Sequence, residues 1–470
     1  MQAIGRHKHR MFLMSDLENE PDDSQMLVHL LLYANELDIE GLVAVTSRWL
    51  QDEVHPESIE ARVRAYDEVR ANLQRHAEGW PEVDDLLAII GEGPISDAGY
   101  GMDAVGEGQS SSGSELFLKV LQNDDPRPLH VCVTAGANCL AQALWDLRQR
   151  VPAAEFDALV RKIRVYDDSG QDNAGAWMTQ RFPCLFYVRG QFQPFALFGG
   201  RAGDPVLSVD GPYTWEPYEY SEKGQDAWAN EHIRTGHGPL GALYPVRKSG
   251  DRYWSLEGGN TSTWIGLVNR GLYDPGHITW GGWGGRFTAE KQLNVAAGQR
   301  DVPPTEESYE PYWMYMEAAD TWSDGETTWE NSIFAPIWRW RRAYTNDLRA
   351  RMDWCVAAPE SANHNPVAAV NGDPDRTILR MEAEPAQTLE FDATDSYDPD
   401  GGPLTFSWYV YPEAGAYDGE VHMAGQNEPV ASLIVPEDAT GRQIHVILEV
   451  TDQHEEVPLT AYRRIVIDVG

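Results

Sequence analysis

The stretch Met11-Phe12-Leu13-Met14-Ser15-Asp16-Leu17-Glu18-Asn19-Glu20-Pro21-Asp22-Asp23 decides the fold. A short apolar run followed by a tight acidic loop and the helical pattern Ser24 to Asn35 reads as strand, loop, helix. In an open α/β sheet, ligands bind at the carboxyl ends of the strands. Five acids crowded at such an end (Asp16, Glu18, Glu20, Asp22, Asp23) repel one another unless something cationic neutralises them. Hard divalent cations such as Ca²⁺ take carboxylate and carbonyl oxygens in this manner. The expectation is a metal site after the first strand; a solvated acidic loop is the plainer alternative.

Outward from that loop, the first half of the chain alternates strand and helix. Strands are expected at Ile39 to Thr46, Leu86 to Ile90, Leu129 to Thr134, Ile163 to Tyr166 and Leu185 to Val188. Helices are expected at Glu57 to His76, Asn138 to Arg150 and Ala153 to Lys162. That order implies parallel pairing with right-handed crossovers, a mostly parallel sheet with flanking helices. The Gly- and Ser-rich stretch Gly91 to Ser114 reads as a long lid or binding loop, or as disorder. After Trp354 the character changes: Asn363-His364-Asn365-Pro366 reads as a linker, and short alternating runs follow from Val367. The turn Asp395 to Leu404 before Thr405-Phe406-Ser407-Trp408-Tyr409-Val410 is similar to the signature of immunoglobulin-like and PKD modules. The domains expected are thus 1–360, α/β, and 367–470, a small all-β sandwich that supplies no catalytic groups.

Composition bounds the partners. At 470 residues, 42% hydrophobic and with 17 tryptophans, the chain can bury sizeable cores. A formal charge of −37 with no basic stripe excludes nucleic acid as a natural partner. No run reaches the length of a membrane span. No signal-peptide core precedes Ser15, so the expected location is cytoplasmic if Met1 is the native start and extracellular if this is a mature form. Cys132, Cys139, Cys184 and Cys355 have no metal spacing and read as buried thiols. A homo-oligomer is compatible with all of this.

The acidic loop also carries a resemblance. Nucleoside hydrolases open with a strand followed by D-T-D-x-x-x-D-D, and Asp16-Leu17-Glu18-Asn19-Glu20-Pro21-Asp22-Asp23 keeps that spacing, with Glu18 for the third acid. Together with Gly236-His237-Gly238-Pro239-Leu240-Gly241-Ala242 and Trp280-Gly281-Gly282-Trp283-Gly284-Gly285-Arg286, the string resembles the nucleoside-hydrolase-like family described as cellulose-binding proteins. The likeness runs over nearly the whole chain. It implies a nucleoside-hydrolase-like α/β domain and an immunoglobulin-like sandwich. It also implies Ca²⁺ held by Asp16, Glu18 and Asp23, with Asn138, Glu257 and Asn260 as the further candidate ligands and Glu18 as base and ligand. Where those enzymes have G-P-L-T-N, this chain has Thr134-Ala135-Gly136-Ala137-Asn138, so Ala137 or Asn138 takes the carbonyl role; Asn138 also suits a helix N-cap. The family's H-D-P has no counterpart: Asn260 stands near the acid's place, Glu257 lies three residues earlier, and no histidine precedes Asn260.

Hydrolysis of a glycosidic bond needs a base for water and negative charge opposite an oxocarbenium-like centre. Candidate catalytic groups are Glu18, Asp22 and Asp168, the last with Asp167 and Asp172 in the loop after Ile163 to Tyr166. Candidate substrate contacts are Trp49, Asp172, His237, Trp280, Trp283 and Arg286, since sugars stack on aromatic faces and the glycines around Trp280 and Trp283 read as open loop. Two functions follow. One is a metal-dependent hydrolase of a carbohydrate or glycoside, including an N-glycosidic one. The other is a cellulose-like polysaccharide binder on the same scaffold without catalysis.

With only six lysines against 74 acids, the chain has the composition of proteins that live in high salt. A halophilic protein should lose its fold on desalting, because screening of self-repulsion is withdrawn. Circular dichroism across an NaCl series checks this; an unchanged melting temperature from molar salt to dilute buffer contradicts it.

Overall fold

The computed structural model describes residues 8–168, 170–190, 228–245, 248–249, 252–253, 258–293, 312–325 and 328–470. The chain divides into two compact units: His9–Ile265 with Phe287–Ala318, and Gly266–Arg286 with Ala319–Gly470.

The first unit is built on β1 (His9–Ser15), β2 (Leu37–Ala44), β3 (Ile90–Glu92), β4 (Leu129–Val133), β5 (Ile163–Asp168) and β6 (Phe186–Gly190). A small hairpin, β7 (Lys248–Ser249) and β8 (Arg252–Tyr253), stands apart, and β9 (Gln292–Leu293) and β10 (Trp313–Met316) complete the large sheet. The order across it is β3-β2-β1-β4-β5-β6-β10-β9. Every neighbouring pair is parallel except β10 with β9. Helices α1 (Pro21–Leu32), α2 (Pro56–His76), α3 (Val83–Leu87), α4 (Ser112–Leu121), α5 (Asn138–Arg150), α6 (Ala153–Val160) and α7 (Ala174–Arg181) flank it. Because β1 is central and covered on both faces, Met11 to Leu17 is buried throughout, which is why its apolar run does not alternate. Phe12, Met14, Val43, Val131 and Val133 share one core cluster with α4, α5 and α7.

Two sequence expectations change here. Leu86 to Ile90 is not a strand: α3 takes Val83–Leu87, with Asp84 and Asp85 in its first turn and Leu86 buried, and pairing begins only at Ile90. The Gly- and Ser-rich stretch is bound down rather than a free lid. Gln142 on α5 exchanges hydrogen bonds with both backbone groups of Gly106, and Ser110 Oγ donates to Asp146 at 2.7 Å. Ser111 and Ser114 close a capping box at the start of α4. Gly113 is required there, since a Cβ would run into the Val43 side chain and the Glu92 carbonyl. Cys132, Cys139 and Cys355 are buried thiols, as composition implied, and Cys184 is half-buried. Among the described residues no helix is long and apolar enough to cross a membrane.

The second unit contains the β-sandwich. One sheet has the order β13 (Leu379–Ala383), β19 (Thr460–Val469), β18 (Gln443–Asp452), β15 (Leu404–Val410); the other is β14 (Thr388–Asp392), β17 (Val430–Ile434), β16 (His422–Ala424). Phe391, Trp408, Leu433, Val446 and Ile467 fill the space between them. The same unit takes in the hairpin β11 (Asp320–Ser323) and β12 (Thr328–Ser332), the helix Arg341–Asp353 and the segment Gly266–Arg286. It therefore begins well ahead of the linker read near 360.

Arg464 shows why Gly266–Arg286 belongs with the sandwich. Its buried guanidinium donates to the carbonyls of Leu272 (2.6 Å), Trp280 (2.7 Å) and Gly281 (3.1 Å). Removing a donor that serves several buried carbonyls costs about 1–3 kcal/mol for each one left unpaired. Arg464→Leu should therefore destabilise this unit by roughly 3 kcal/mol or more, read from urea unfolding followed by tryptophan emission. A midpoint within error of the parent protein would mean that the loop is held by something else.

Candidate functional site

The strand order reverses at β1: from there the chain moves to β2 and β3 on one side and to β4, β5 and β6 on the other. At such a switch point the connections diverge and leave a crevice at the carboxyl ends. Asp16 follows β1, Thr46 and Ser47 follow β2, Thr134 follows β4, and Asp168 to Asp172 end and follow β5. Pro21 opens α1, which puts Asp22 and Asp23 in its first turn, where the positive end of the helix dipole favours negative charge.

Asp16 and Asp23 are 1% and 2% exposed. Ser47 Oγ donates to Asp16 Oδ2 at 2.5 Å and Asn19 Nδ2 to the same oxygen at 3.2 Å. Ser15 Oγ donates to Asp23 Oδ1, as does Thr134 Oγ1 at 2.7 Å. The two carboxyl groups also lie within hydrogen-bonding reach of each other, while Asp16 Oδ1 meets no donor. Burial pushes Asp16 from the ordinary 3.8 up to about 7; the Ser47 hydrogen bond opposes this and the charge of Asp22 adds to it. Burial first, and then the charge of Asp16, raises Asp23 well above the carboxylate range. Two carboxylates in contact away from water coexist only with a proton or a cation between them.

Asn260 reaches this cluster from a 3₁₀ turn, Gly259–Thr261, its Nδ2 standing 3.4 Å from Asp22 Oδ2. The turn is fastened to α1 by Thr261 Oγ1, 2.9 Å from His29 Nδ1. Asn138 is the first residue of α5 and not its cap, the N-cap position being Ala137. Its Nδ2 donates to Thr46 Oγ1 at 2.9 Å and its Oδ1 meets no donor. Asp172 ties two helix starts together, accepting from the backbone N–H of Asn138 (3.0 Å) and of Ala174 (2.8 Å). That capping role, with 1% exposure, replaces the substrate contact expected of it.

Glu18 differs from expectation. It has a positive φ of 75°, and its side chain is 46% exposed and lies 3.4 Å from Arg62 Nη1. The backbone turn aims it at α2 rather than into the carboxylate cluster, so it does not join Asp16 and Asp23 as a ligand. Asp168 is buried at the end of β5. Asp167 is structural, accepting from Arg189 Nη2 at 2.8 Å and from Tyr187 Oη at 2.5 Å. His237 is buried at the N-cap of the short helix α8 (Gly238–Ala242). Glu257 lies outside the described residues. Among the described residues, no three His, Cys, Asp or Glu side chains are arranged to hold a metal.

The aromatic candidates separate cleanly. Trp49 is 54% exposed, its ring under the Arg48 guanidinium at 5.0 Å and its backbone N–H donating to Ser47 Oγ, the hydroxyl that also serves Asp16. Trp280 and Trp283 are 3% and 2% exposed, so neither offers a sugar a face. Trp280 is sandwiched between His277 and Arg380, and Trp283 packs on Tyr344, Tyr462 and Arg270. Arg286 binds Asp320 Oδ1 at 2.7 Å and the Ala319 carbonyl at 2.5 Å, an anchor inside its own unit. Sequence reading missed Ser15, Ser47 and Thr134; their one signal is a hydroxyl residue at the carboxyl end of each of three adjacent strands.

Residues 10–287 match the family described as Cellulose-binding Sde182, nucleoside hydrolase-like domain, and residues 388–469 match the Cellulose-binding protein Sde0182, C-terminal domain. Among solved structures, a nucleoside hydrolase-related hypothetical protein from Saccharophagus degradans, associated with carbohydrate metabolism, is 35% identical; the match covers 99% of this chain and 100% of that one at a TM-score of 0.80. The type III effector protein XopQ, solved with adenosine diphosphate ribose, is 10% identical over 74% of this chain and 94% of its own at a TM-score of 0.36, too distant to carry any argument. No curated protein matches the chain. With its α/β sheet and C-terminal sandwich both accounted for, this chain belongs to the cellulose-binding family that carries a nucleoside hydrolase-like domain.

Proposed function

We propose that the chain hydrolyses a glycosidic bond in a carbohydrate or glycoside, at the β1/β4 switch point and with a divalent cation, Ca²⁺ by the chemistry of the donors. One observation carries this reading: Asp16 and Asp23 are both buried where β1 leads into α1, near enough that the charge of Asp16 raises the pKa of Asp23. A surface that only binds neutral sugar has no use for such a cluster, which costs stability wherever nothing neutralises it. The donors are hard oxygens, Asp16 Oδ1 faces no hydrogen-bond donor, and Asp22 adds charge from the same helix turn. They fit a hard cation in charge and chemistry. Asp16 and Asp23 would hold it, with Asp22 as a further negative charge nearby and Asn138 and Asn260 as neutral neighbours. A bound cation there would lower the pKa of a water and fix its position.

The chain's own groups divide the remaining work. Glu18, half-exposed on the same loop, is the carboxylate that would take a proton from water once its side chain swings away from Arg62. The buried acids oppose the positive charge that develops on the sugar. Trp49 supplies an apolar face beside them. A second reading is a carbohydrate-binding protein without turnover; the outward turn of Glu18 and its contact with Arg62 favour it.

Cation and proton compete for the Asp16–Asp23 contact, and the sign follows from the raised pKa. An acid whose folded value is about 7 and whose ordinary value is 3.8 contributes stability that is complete below 3.8 and lost as pH rises through about 7. Metal-free protein should therefore lose thermal stability over that window. Ca²⁺ should restore it at pH 8 and do little at pH 4, and Asp23→Asn should abolish the response. Identical melting curves with and without Ca²⁺ at pH 8 would leave the proton, and no metal, holding the pair.

Turnover separates the two functions. On a panel of aryl glycosides and soluble oligosaccharides, Glu18→Gln should lower kcat by about 100-fold or more while keeping the Ca²⁺-dependent melting shift. Undiminished turnover in that variant would move the base into the cluster, with Asp22 first. Retention on polysaccharide with no turnover by the parent protein on any member of the panel would establish the binding-only reading.

A further inference from the structure

The outer strands of the large sheet carry a second aromatic surface at the end opposite the acids. In β10, Met314 and Met316 point into the core, so Trp313 and Tyr315 point to the other face. In β6 the same alternation buries Tyr187 in that core and turns Phe186 outward. The parallel register sets Tyr315 opposite Val188, which continued two residues back brings Trp313 beside Phe186. Arg164 on β5 is paired with Phe186 in turn. A row thus crosses three adjacent strands near their amino ends.

Each member is held in place. Tyr315 and Phe186 rings lie 4.9 Å apart. The Arg164 guanidinium sits 4.9 Å over the Phe186 ring, with Nη1 donating to the carbonyls of Arg161 and Ile163. Lys291 Nζ lies 5.9 Å over Tyr315 and donates to the carbonyls of Pro183 and Leu185. Trp313, on a strand fixed by its ladder to β9, is nevertheless 56% exposed. A Trp on a paired strand left open to water is an unusual use of the largest apolar side chain, and its stiff ring loses little entropy when something stacks on it.

We propose that Trp313, set beside the cation-covered rings of Tyr315 and Phe186, is a polysaccharide-binding face separate from the acid site, and that its ligand is a neutral glycan chain. The charges decide the class. The two cations of the row are already committed to backbone carbonyls and ring faces, so they hold the platform and do not recruit an anion. The net charge of −37 repels uronate polymers and equally a second copy of this chain. Neutral sugar rings, with apolar C–H faces, are what stacking faces without an ion-pairing partner select. This rests on the carbohydrate reading above but not on its catalysis.

The test is retention of the full chain on insoluble polysaccharide. Microcrystalline cellulose and a β-1,3-glucan serve as neutral probes and polygalacturonate as the anionic one. Trp313→Ala should weaken retention on a neutral probe about tenfold, Trp313→Phe should keep most of it, and both should leave turnover of small soluble glycosides and the melting temperature unchanged. The exposed position makes both variants compatible with the fold. If Trp313→Ala is retained like the parent protein while Trp49→Ala is not, the platform is wrong and the acid site alone binds glycan. Retention only on polygalacturonate, or on none of the three, also overturns it.

Discussion

Two buried carboxyl groups that act on each other's charge are the constraint around which the carboxyl end of the first unit's sheet is arranged. Asp16 and Asp23 cannot both ionise there without help, and the surrounding sequence supplies as much as neutral groups can. Hydroxyls of Ser15, Ser47 and Thr134, each from the end of a different strand, donate to them. The first turn of α1 adds its dipole. These contacts lower the cost without removing it, since burial still dominates the balance at both acids. Among the described residues the side chains that donate to the two acids are hydroxyls and one amide, so none of them neutralises the pair.

The same constraint explains the tight geometry one layer out. Gly136 has no room for a Cβ between the Thr46 carbonyl and the Asp172 carboxylate. Gln171 bridges two loops, donating to the Thr134 carbonyl at 2.8 Å while its own carbonyl accepts from Arg48 N–H at 2.8 Å. The loops after β2, β4 and β5 are therefore locked to one another by polar contacts, which keeps the carboxylates from relaxing into solvent. Trp49 inherits its position from this lattice through Ser47.

The sheet was legible because it depends on short-range pattern: an apolar run without alternation, a proline opening a helix, helical stretches between strands. The acid cluster was legible for the same reason, since Asp16, Asp22 and Asp23 lie within eight residues on a strand–loop–helix turn. The direction of Glu18 was not, because a positive φ at one residue turns its side chain away, and spacing does not encode that. Trp280 and Trp283 misled because glycines around them suggested an open loop. Their packing partners Tyr344, Arg380 and Tyr462 are far along the chain, and no local signal links them. Trp313 drew no reading from the sequence, because an alternating strand does not reveal which of its faces is left uncovered.

Arginine usage joins these observations. Arg10, Arg189, Arg351, Arg463 and Arg464 are among the largest fully buried side chains, and each donates to carboxylates or carbonyls through its planar fork. Lysine, a strongly hydrated point charge, suits none of these five places, which accounts for part of the preference for arginine without appeal to salt. A lysine-poor, acidic composition is therefore two signals superimposed: arginines retained because the interior needs them, and lysines lost where only the surface would use them. Only the second bears on the solvent in which the protein works, so the overall charge overstates what composition says about habitat. The acid site is set apart from both. Its carboxylates are buried without an arginine among the groups that bond Asp16 or Asp23. Guanidinium groups stand against other buried acids such as Asp167 and Asp347, whereas the described side chains that donate to Asp16 and Asp23 are the hydroxyls of Ser15, Ser47 and Thr134 and the amide of Asn19.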